Sequence, residues 1–281
     1  MRLTRTQVIQ RGFIFAFCIL LAILSILPFW VMIVNATRSS AQIQGSAFSL
    51  IPSSSFAYNY SRMMRAGAFN PFIGYLNSAI VSVGATVLGM YFSSLTAFAL
   101  VVYQWRFRKA FFAFIVAIMM IPAQVTTIGF FQFMLQIKFN NNLLPLILPS
   151  IASPTIVFFM RQYLLGSLSL DIVNSARIDN ASEFRIFNQI ILPLMKPAIA
   201  TQAIFVFVST WNNFLIPRVL LSDMKLFTMP IMVSLLRNDI YRVEYGTIFL
   251  GLTMSVLPLF VVYFTLSKYI IAGVALGGVK E

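Results

Sequence analysis

The sequence predicts an all-α integral membrane protein with about six transmembrane helices. Three observations indicate this class: 59% of the 281 residues are hydrophobic, only 10% are charged, and the mean hydropathy is +0.88. A soluble domain usually carries about 25% charged residues. Apolar runs of about 20 residues, the length that crosses a bilayer as a helix, recur along the chain.

The apolar runs define the predicted organisation of the chain. A short N-terminus of about residues 1–11 and a tail of about residues 271–281 enclose a transmembrane domain, residues 12–270. Its spans are predicted at about residues 12–36, 72–102, 110–135, 143–160, 198–215 and 246–270. The long polar stretch before the fifth span, residues 161–197, is predicted to be a cytoplasmic loop.

The basic residues give the predicted orientation. Twelve Lys and Arg fall on the side of the N-terminus, when Lys268 at the end of the last span is counted with the tail, and eight fall on the other side. Because basic residues are enriched in short cytoplasmic loops, both termini are expected in the cytoplasm. The net charge of +13 is scattered over short loops. This distribution fits anionic lipid headgroups rather than nucleic acid.

Several kinds of chemistry are excluded by composition. The chain has no histidine, and its single cysteine, Cys18, lies within the first apolar run. The sequence has no phosphate-binding Gly-x-x-x-x-Gly-Lys-Ser/Thr motif, and no group of residues suggests a metal site. An enzyme within the membrane is therefore disfavoured. If ATP drives this protein, another chain must bind the ATP and its Mg²⁺.

Residues 174–197 are the one place where the chain is polar, charged and patterned at once. Asp171 is expected to cap a short helix, and Asn180 to end it, because Asn tolerates a left-handed conformation. A second helix should start near Ser182, and Pro193 and Pro197 should break it. The pattern predicts a helix, a turn and a helix outside the bilayer. An amphipathic loop lying on the membrane surface is the simpler alternative.

The same stretch resembles the signature loop of the membrane subunits of bacterial ABC importers, in particular the maltose-type carbohydrate permeases. The positions that fall on the family pattern are Ser175, Ala176, Arg177, Ile178, Asp179, Ala181, Phe187, Ile190, Leu192, Pro193 and Pro197. Two positions depart from it, since the family usually has Glu at position 174 and Gly at position 180. Here these positions are Asn174 and Asn180.

The tail is the second point of resemblance. In maltose-type importers the second permease ends in a Gly-rich run that reaches toward the interface of the ATPase dimer. The matching positions here are Gly273, Gly277, Gly278, Val279 and Lys280. The tail contact residues implied by this resemblance are Gly277, Gly278 and Lys280. The alternative is an ordinary disordered chain end.

The resemblance implies a fold, partners and a role. The fold would be the type I permease fold of ABC importers, in a bacterial inner membrane. The partners would be a homologous second permease, two copies of a cytoplasmic ATPase and an external solute-binding protein that delivers a sugar. ATP and Mg²⁺ would be bound by the ATPase. Residues 174–181 would dock on the ATPase and, together with Phe187 and Pro193, would couple its closure to the permease.

Uncharged polar residues within the spans are candidates for the transport pathway. The strongest are Asn77, Gln124, Trp211, Asn212 and Asn213, because neutral donors, acceptors and aromatic faces suit a sugar. Hydrogen bonding between helices is the alternative role. No Lys, Arg, Asp or Glu lies at a predicted span centre. A proton-driven carrier is therefore disfavoured.

The sequence leaves the substrate open between a neutral oligosaccharide, an acidic one and glycerol phosphate. Basic residues predicted outside, including Arg38, Arg62, Arg65 and Arg218, could attract an anionic solute or contact a binding protein. The leading interpretation is the permease of an ATP-driven sugar importer. The alternative is a channel or secondary carrier for a small polar solute, which would act without an ATPase.

Overall fold

A computed structural model of the chain describes residues 5–67, 69–237 and 243–277. Within these ranges all regular structure is helical. The chain divides into two compact units, Met1–Asn70 with Met232–Leu257, and Pro71–Ile231 with Pro258–Glu281.

The first unit begins with a long apolar helix and continues with two short ones. The helices are α1 (Arg5–Ala36), α2 (Ser40–Gly45) and α3 (Phe56–Arg65). Ser39 caps α2 and forms a capping box with Gln42. The buried amide of Asn59 donates hydrogen bonds to the carbonyls of Ala36 and Arg38 and so ties α3 to the end of α1.

The second unit is built around the long helix α4 (Pro71–Val102). The helices that follow it are α5 (Arg108–Met119), α6 (Ala123–Gln136), α7 (Leu144–Ile147), a 3₁₀ segment Leu148–Ala152, α8 (Pro154–Ser167), α9 (Leu170–Ile178), α10 (Glu183–Ile186), a π segment Phe187–Ile191, α11 (Leu192–Leu194), α12 (Lys196–Trp211), α13 (Leu215–Leu220) and a 3₁₀ segment Met224–Leu226. The helix α4 packs against α8, α12 and the 3₁₀ segment Leu148–Ala152.

The last two helices are α14 (Met229–Leu235) and α15 (Tyr245–Gly277). Both run from one unit into the other, and α15 contains Pro258.

Four described helical segments are long and apolar enough to cross a membrane. They are Gln10–Ala36, Pro71–Val102, Leu144–Ser167 and Tyr245–Ser267. A fifth is obtained if Glu183–Leu194 and Lys196–Trp211, which meet at a bend of 76°, count as one broken span. The sequence predicted about six.

The predicted third span, residues 110–135, is not one helix. It is divided into α5 and α6, because Pro122 lacks an N–H group and disfavours helical geometry at the preceding residue. The predicted fourth span, residues 143–160, is longer than expected, because α8 continues beyond Met160 to Ser167. Arg161, which the sequence assigned to the cytoplasmic loop, therefore lies within an apolar candidate span.

Candidate coupling site

The candidate site is the polar segment between α8 and α12, and its first helix is α9. Ser169 caps this helix, and its hydroxyl accepts a hydrogen bond from the backbone N–H of Asp171 at 3.3 Å. The sequence predicted Asp171 as the cap, which is wrong. Asp171 lies in the first turn instead, where its negative charge is favoured by the positive helix end.

The turn after α9 is a Schellman motif with Asn180 in the left-handed conformation. Its φ is 57°, which confirms the expectation from the sequence. The N–H of Ala181 donates to the carbonyl of Ala176 at 3.0 Å, and that of Asn180 donates to the carbonyl of Arg177 at 3.0 Å. These two bonds satisfy carbonyls that the helix end leaves free.

The second helix starts where the sequence placed it. Ser182 caps α10, and its hydroxyl accepts from the N–H of Arg185. The helix then widens into the π segment Phe187–Ile191, in which the N–H of Leu192 bonds to the carbonyl of Phe187. The chain bends at Met195, close after Pro193 and before Pro197. Proline cannot donate an N–H group, which explains the irregular hydrogen bonding here.

An ion pair joins the two helices of the segment. Arg177 Nε lies 2.7 Å from Glu183 Oε1, and Arg177 Nη2 lies 3.2 Å from Glu183 Oε2. The hydroxyl of Tyr103, in the chain that follows α4, donates to Glu183 Oε2 at 2.5 Å. Glu183 therefore links the end of α9 to the end of α4.

The pKa values of these three groups shift as this geometry requires. The hydrogen bond from Arg177 lowers the pKa of Glu183. The same hydrogen bond raises the pKa of Arg177. Burial, followed by the hydrogen bond to Glu183, raises the pKa of Tyr103 to about 12. The carboxylate is thus held ionised and the phenol protonated at neutral pH.

A buried apolar layer fixes the segment to the core of the second unit. Phe187 is fully buried, with its ring 5.6 Å from the rings of both Tyr91 and Phe98 of α4. Val173 of α9 and Met160 of α8 are also fully buried in this cluster. A displacement of α9 would therefore be transmitted directly to α4 and α8.

The opposite face of the segment is exposed and partly apolar. The side chain of Ile178 is 80% exposed and that of Phe184 is 69% exposed. Among the predicted docking residues, Asn174, Ser175, Asp179 and Asn180 are also exposed, Arg177 and Ala181 are half-buried, and Ala176 is buried. The exposed face has the mixed apolar and polar character expected of a surface that docks another protein.

The predicted pathway residues have different environments. Asn77 is buried, and its amide donates to the carbonyls of Lys225 and Phe227, which is the structural role that the sequence left open. Trp211 is also buried and stacks on Phe207 at 5.6 Å. Asn213 borders a cleft.

The other two predicted pathway residues are Asn212 and Gln124. Asn212 is exposed at the end of α12. The side chain of Gln124 lies outside the description.

The predicted tail contacts lie mostly outside the described residues. Gly277 is the last residue of α15, and Gly278, Val279 and Lys280 follow it.

One basic residue that the sequence offered for attracting an anionic solute has another role. Arg38 is buried and donates to Asn35 Oδ1 and to the carbonyls of Gln42 and Ser46, each at 2.9 Å. Its charge therefore holds the chain after α1 in place. Arg62 pairs with Glu244 at 3.5 Å.

The contact between Tyr103 and Glu183 was not predicted from the sequence. The two residues are 80 positions apart. Tyr103 belongs to a short basic segment that reads as an ordinary membrane flank. The only local signal was an acidic residue directly after the helix-capping Ser182.

Comparison with known proteins shows the family of the chain. Residues 85–275 match the family of binding-protein-dependent transport system inner membrane components. The chain belongs to this family. The arabinooligosaccharides transport system permease protein AraQ of Halalkalibacterium halodurans is 35% identical to this permease over 92% of the chain and 93% of its own length. The AraQ protein of Bacillus subtilis is 33% identical over 94% of each chain.

The fold of the permease also matches a solved structure. It superimposes on a chain of a bacterial ABC transporter involved in the import of the acidic polysaccharide alginate, with a TM-score of 0.80. The two chains are 22% identical, and the match covers 96% of this permease and 99% of the other chain. The permease therefore has the ABC importer fold.

Proposed function

We propose that this permease forms half of the translocation pathway of an ATP-driven importer for oligosaccharides. The observation that carries the proposal is the helix α9, which exposes one face and buries the other against the core. A segment that only lay on a membrane surface would not need the ion pair with Glu183 or the buried Phe187 beneath it.

The proposed partners are a homologous second permease, two copies of a cytoplasmic ATPase and an external solute-binding protein. On this proposal the exposed side chains of α9 and α10 dock in a cleft of one ATPase subunit. Closure of the ATPase on ATP moves α9, and the contacts of Glu183 and Phe187 carry the movement to α4. ATP hydrolysis, with its Mg²⁺, takes place on the ATPase, so this chain is not itself an enzyme.

An oligosaccharide is the proposed substrate class. The two AraQ proteins at 33% and 35% identity are named for arabinooligosaccharides. The clefts along α12 are lined by hydroxyl, amide and aromatic side chains. Such groups suit the hydroxyls and the C–H faces of a neutral sugar. The internal hydrogen bonds of Arg38 remove one argument for an anionic substrate.

The proposed location is the bacterial inner membrane with both termini in the cytoplasm. The distribution of Lys and Arg supports this orientation. In this arrangement α9 faces the cytoplasm, where an ATPase can reach it.

The decisive experiment is to tag the chain, purify it from its native membrane in mild detergent and identify the proteins that accompany it by mass spectrometry. We expect a second permease and an ATPase, with ATP hydrolysis stimulated by the loaded binding protein. A matched variant, Ile178→Asp, should lose the ATPase because it places a charge on the exposed apolar surface. If the chain alone moved solute in liposomes, the proposal would be wrong and a carrier or channel would remain.

A further inference from the structure

A groove runs along one face of α12, within the second unit. The helix buries Ile204, Phe207 and Trp211 on one side. Its other side borders two successive clefts, of about 310 and 330 Å³, which share Gln202. A third cleft of about 310 Å³ begins just beyond the end of the helix.

The groove, taken as the three clefts together, extends over most of the length of a membrane span. It starts at Pro197 in the first cleft and reaches Asn213 in the third. Sixteen residues of helix rise about 24 Å, which is most of the hydrocarbon thickness of a bilayer. Each cleft lies within the range of about 300–1,000 Å³ that is typical of small-molecule sites.

The middle cleft, of about 330 Å³, is bordered opposite α12 by a break between two helical segments. The 3₁₀ segment Leu148–Ala152 ends there, and α8 begins after Ser153, whose side chain does not cap it. The first N–H groups of α8, at Thr155 and Ile156, therefore have no partner within their helix. Both residues line the cleft. Irregular backbone within a membrane span is tolerated only where it is buried in protein or borders a water-filled cavity.

Side chains on α12 supply the remaining groups of this cleft. Among the described residues, the side chains of Gln202 and Ser209 form no hydrogen bond. An amide that faces hydrocarbon without a hydrogen-bond partner is strongly unfavourable. Phe205, which is 64% exposed, presents its ring between them.

Two occupants could satisfy these polar groups, a sugar or a helix of the second permease. Helix pairs in membranes usually meet through small residues that allow their backbones to approach closely. This cleft also has small residues, among them Ser150 and Ser153. However, the exposed ring of Phe205 projects between Gln202 and Ser209, and the first N–H groups of α8 border the cleft. This combination matches the hydroxyls and the C–H face of a sugar ring.

We propose that Gln202, Phe205 and Ser209 of α12, with the N-terminus of α8, bind an oligosaccharide directly during transport. The inference rests on the proposed function and adds to it a contact site on this chain. On this basis the permease contributes to sugar recognition within the membrane, and not only to the ATPase contact.

Cysteine accessibility tests the proposal, because Cys18 is the only native cysteine. In a Cys18→Ser background, Ser209→Cys would be compared with Ser25→Cys, whose native hydroxyl bonds to the carbonyl of Leu21 on an exposed face of α1. The probe is a membrane-impermeant methanethiosulfonate, applied to the whole complex with ATP and vanadate. The sugar is arabinotriose, and maltotriose and lactose are tested in parallel.

We expect Ser209→Cys to react, and at least one of the three sugars to slow the reaction about 5-fold or more. Ser25→Cys should not react, since a thiol facing hydrocarbon does not ionise. Gln202→Leu should lower uptake of the protecting sugar about 10-fold, the effect of losing one useful hydrogen bond. Ser25→Ala should leave uptake at the wild-type level.

Two results would overturn the proposal. The first is an unreactive Ser209→Cys in a complex that still contains the ATPase, because the second permease would then cover the groove. The second is a reactive cysteine that none of the sugars protects, together with normal uptake by Gln202→Leu. Absence of an ATPase from the purified complex would instead refute the proposed function itself, and the sugar site with it.

Discussion

At the scale of single residues, Asn180 shows how one backbone angle shapes the proposed coupling segment, which is the polar segment between α8 and α12. Its φ of 57° lies in the left-handed region, which Gly and Asn adopt with little strain. The turn directs the chain from α9 into α10 and brings Arg177 next to Glu183. The conformation, and not the side chain, is therefore the requirement at this position.

A matched pair of substitutions tests this requirement. Asn180→Gly should retain full ATPase stimulation, because Gly adopts the same angle. Asn180→Val should reduce stimulation by the loaded binding protein several-fold, because a β-branched residue resists positive φ. The measurement is ATP hydrolysis by the reconstituted complex. Equal stimulation in both variants would show that the turn is not needed for coupling.

Glu183 is the residue that connects the coupling segment to α4. We expect Glu183→Gln to assemble normally but to lose several-fold in ATPase stimulation, because Arg177 would lose its ion pair. The pair is partly exposed and is worth about 1 kcal/mol or less, so thermal stability should change little. Lys109→Gln, at an exposed position in the first turn of α5 and outside this segment, is the control. A large fall in stability without a change in coupling would contradict this role.

The shifted pKa values predict how these contacts respond to pH. The pKa of Glu183 is lowered, so its contribution is present at neutral pH and is lost as the pH falls through that lowered value. The pKa of Tyr103 is raised from 10.0 to about 12, so its contribution is lost as the pH rises through this interval. Thermal unfolding in detergent should show a stability loss between about pH 10 and 12, reduced in Tyr103→Phe.

At the scale of helices, Gly89 allows α4 to approach the 3₁₀ segment Leu148–Ala152 and the start of α8 closely. A Cβ atom there would lie 3.1 Å from Ile156 Cδ1 and 3.3 Å from the carbonyl oxygen of Ser150. The carbonyl belongs to the backbone of the 3₁₀ segment and cannot rotate away. Gly89 therefore allows α4 to pack directly against the helix break that borders the middle cleft.

Gly89→Leu should destabilise the permease by about 1–3 kcal/mol, the usual effect of overpacking. Gly129→Leu in α6 is the control, because a Cβ atom at that position would have no other atom within 4 Å. Thermal unfolding in the same detergent compares the two variants. If both unfolded at the wild-type temperature, the contact between α4 and the 3₁₀ segment would not be tight.

At the scale of the whole molecule, the charged side chains within the four single-helix candidate spans are two arginines, Arg11 and Arg161. Arg161 lies within the candidate span Leu144–Ser167, with its guanidinium 3.9 Å from the centre of the Phe112 ring. Arginine does not deprotonate in proteins, so it cannot act as a relay. A proton relay through these four spans is therefore disfavoured, in agreement with the family to which the chain belongs.

Uptake by the complete transporter should therefore be independent of a proton gradient. In proteoliposomes supplied with ATP, a protonophore should leave the rate of sugar uptake unchanged. Removal of ATP should abolish uptake under the same conditions. A protonophore-sensitive rate with ATP present would contradict this expectation.

The sequence alone determined the class of the protein and the local structure of its coupling segment. Long apolar runs fix a helical membrane protein, because every backbone polar group within a bilayer must be paired inside its own helix. The angle at Asn180 and the start of α10 after Ser182 also followed from the sequence, since caps and turns depend on neighbouring residues.

Only the tertiary structure decided which distant residues meet. The contact of Tyr103 with Glu183 joins residues 80 positions apart. The hydrogen bonds of Arg38 within the chain show that its charge has a structural role, whereas the sequence suggested attraction of an anionic solute. The groove along α12 also depends on packing, because burial of Ile204 and Phe207 decides that Gln202 and Ser209 remain on the open face. Periodicity gives the faces of a helix, but the neighbouring helices determine which face is covered.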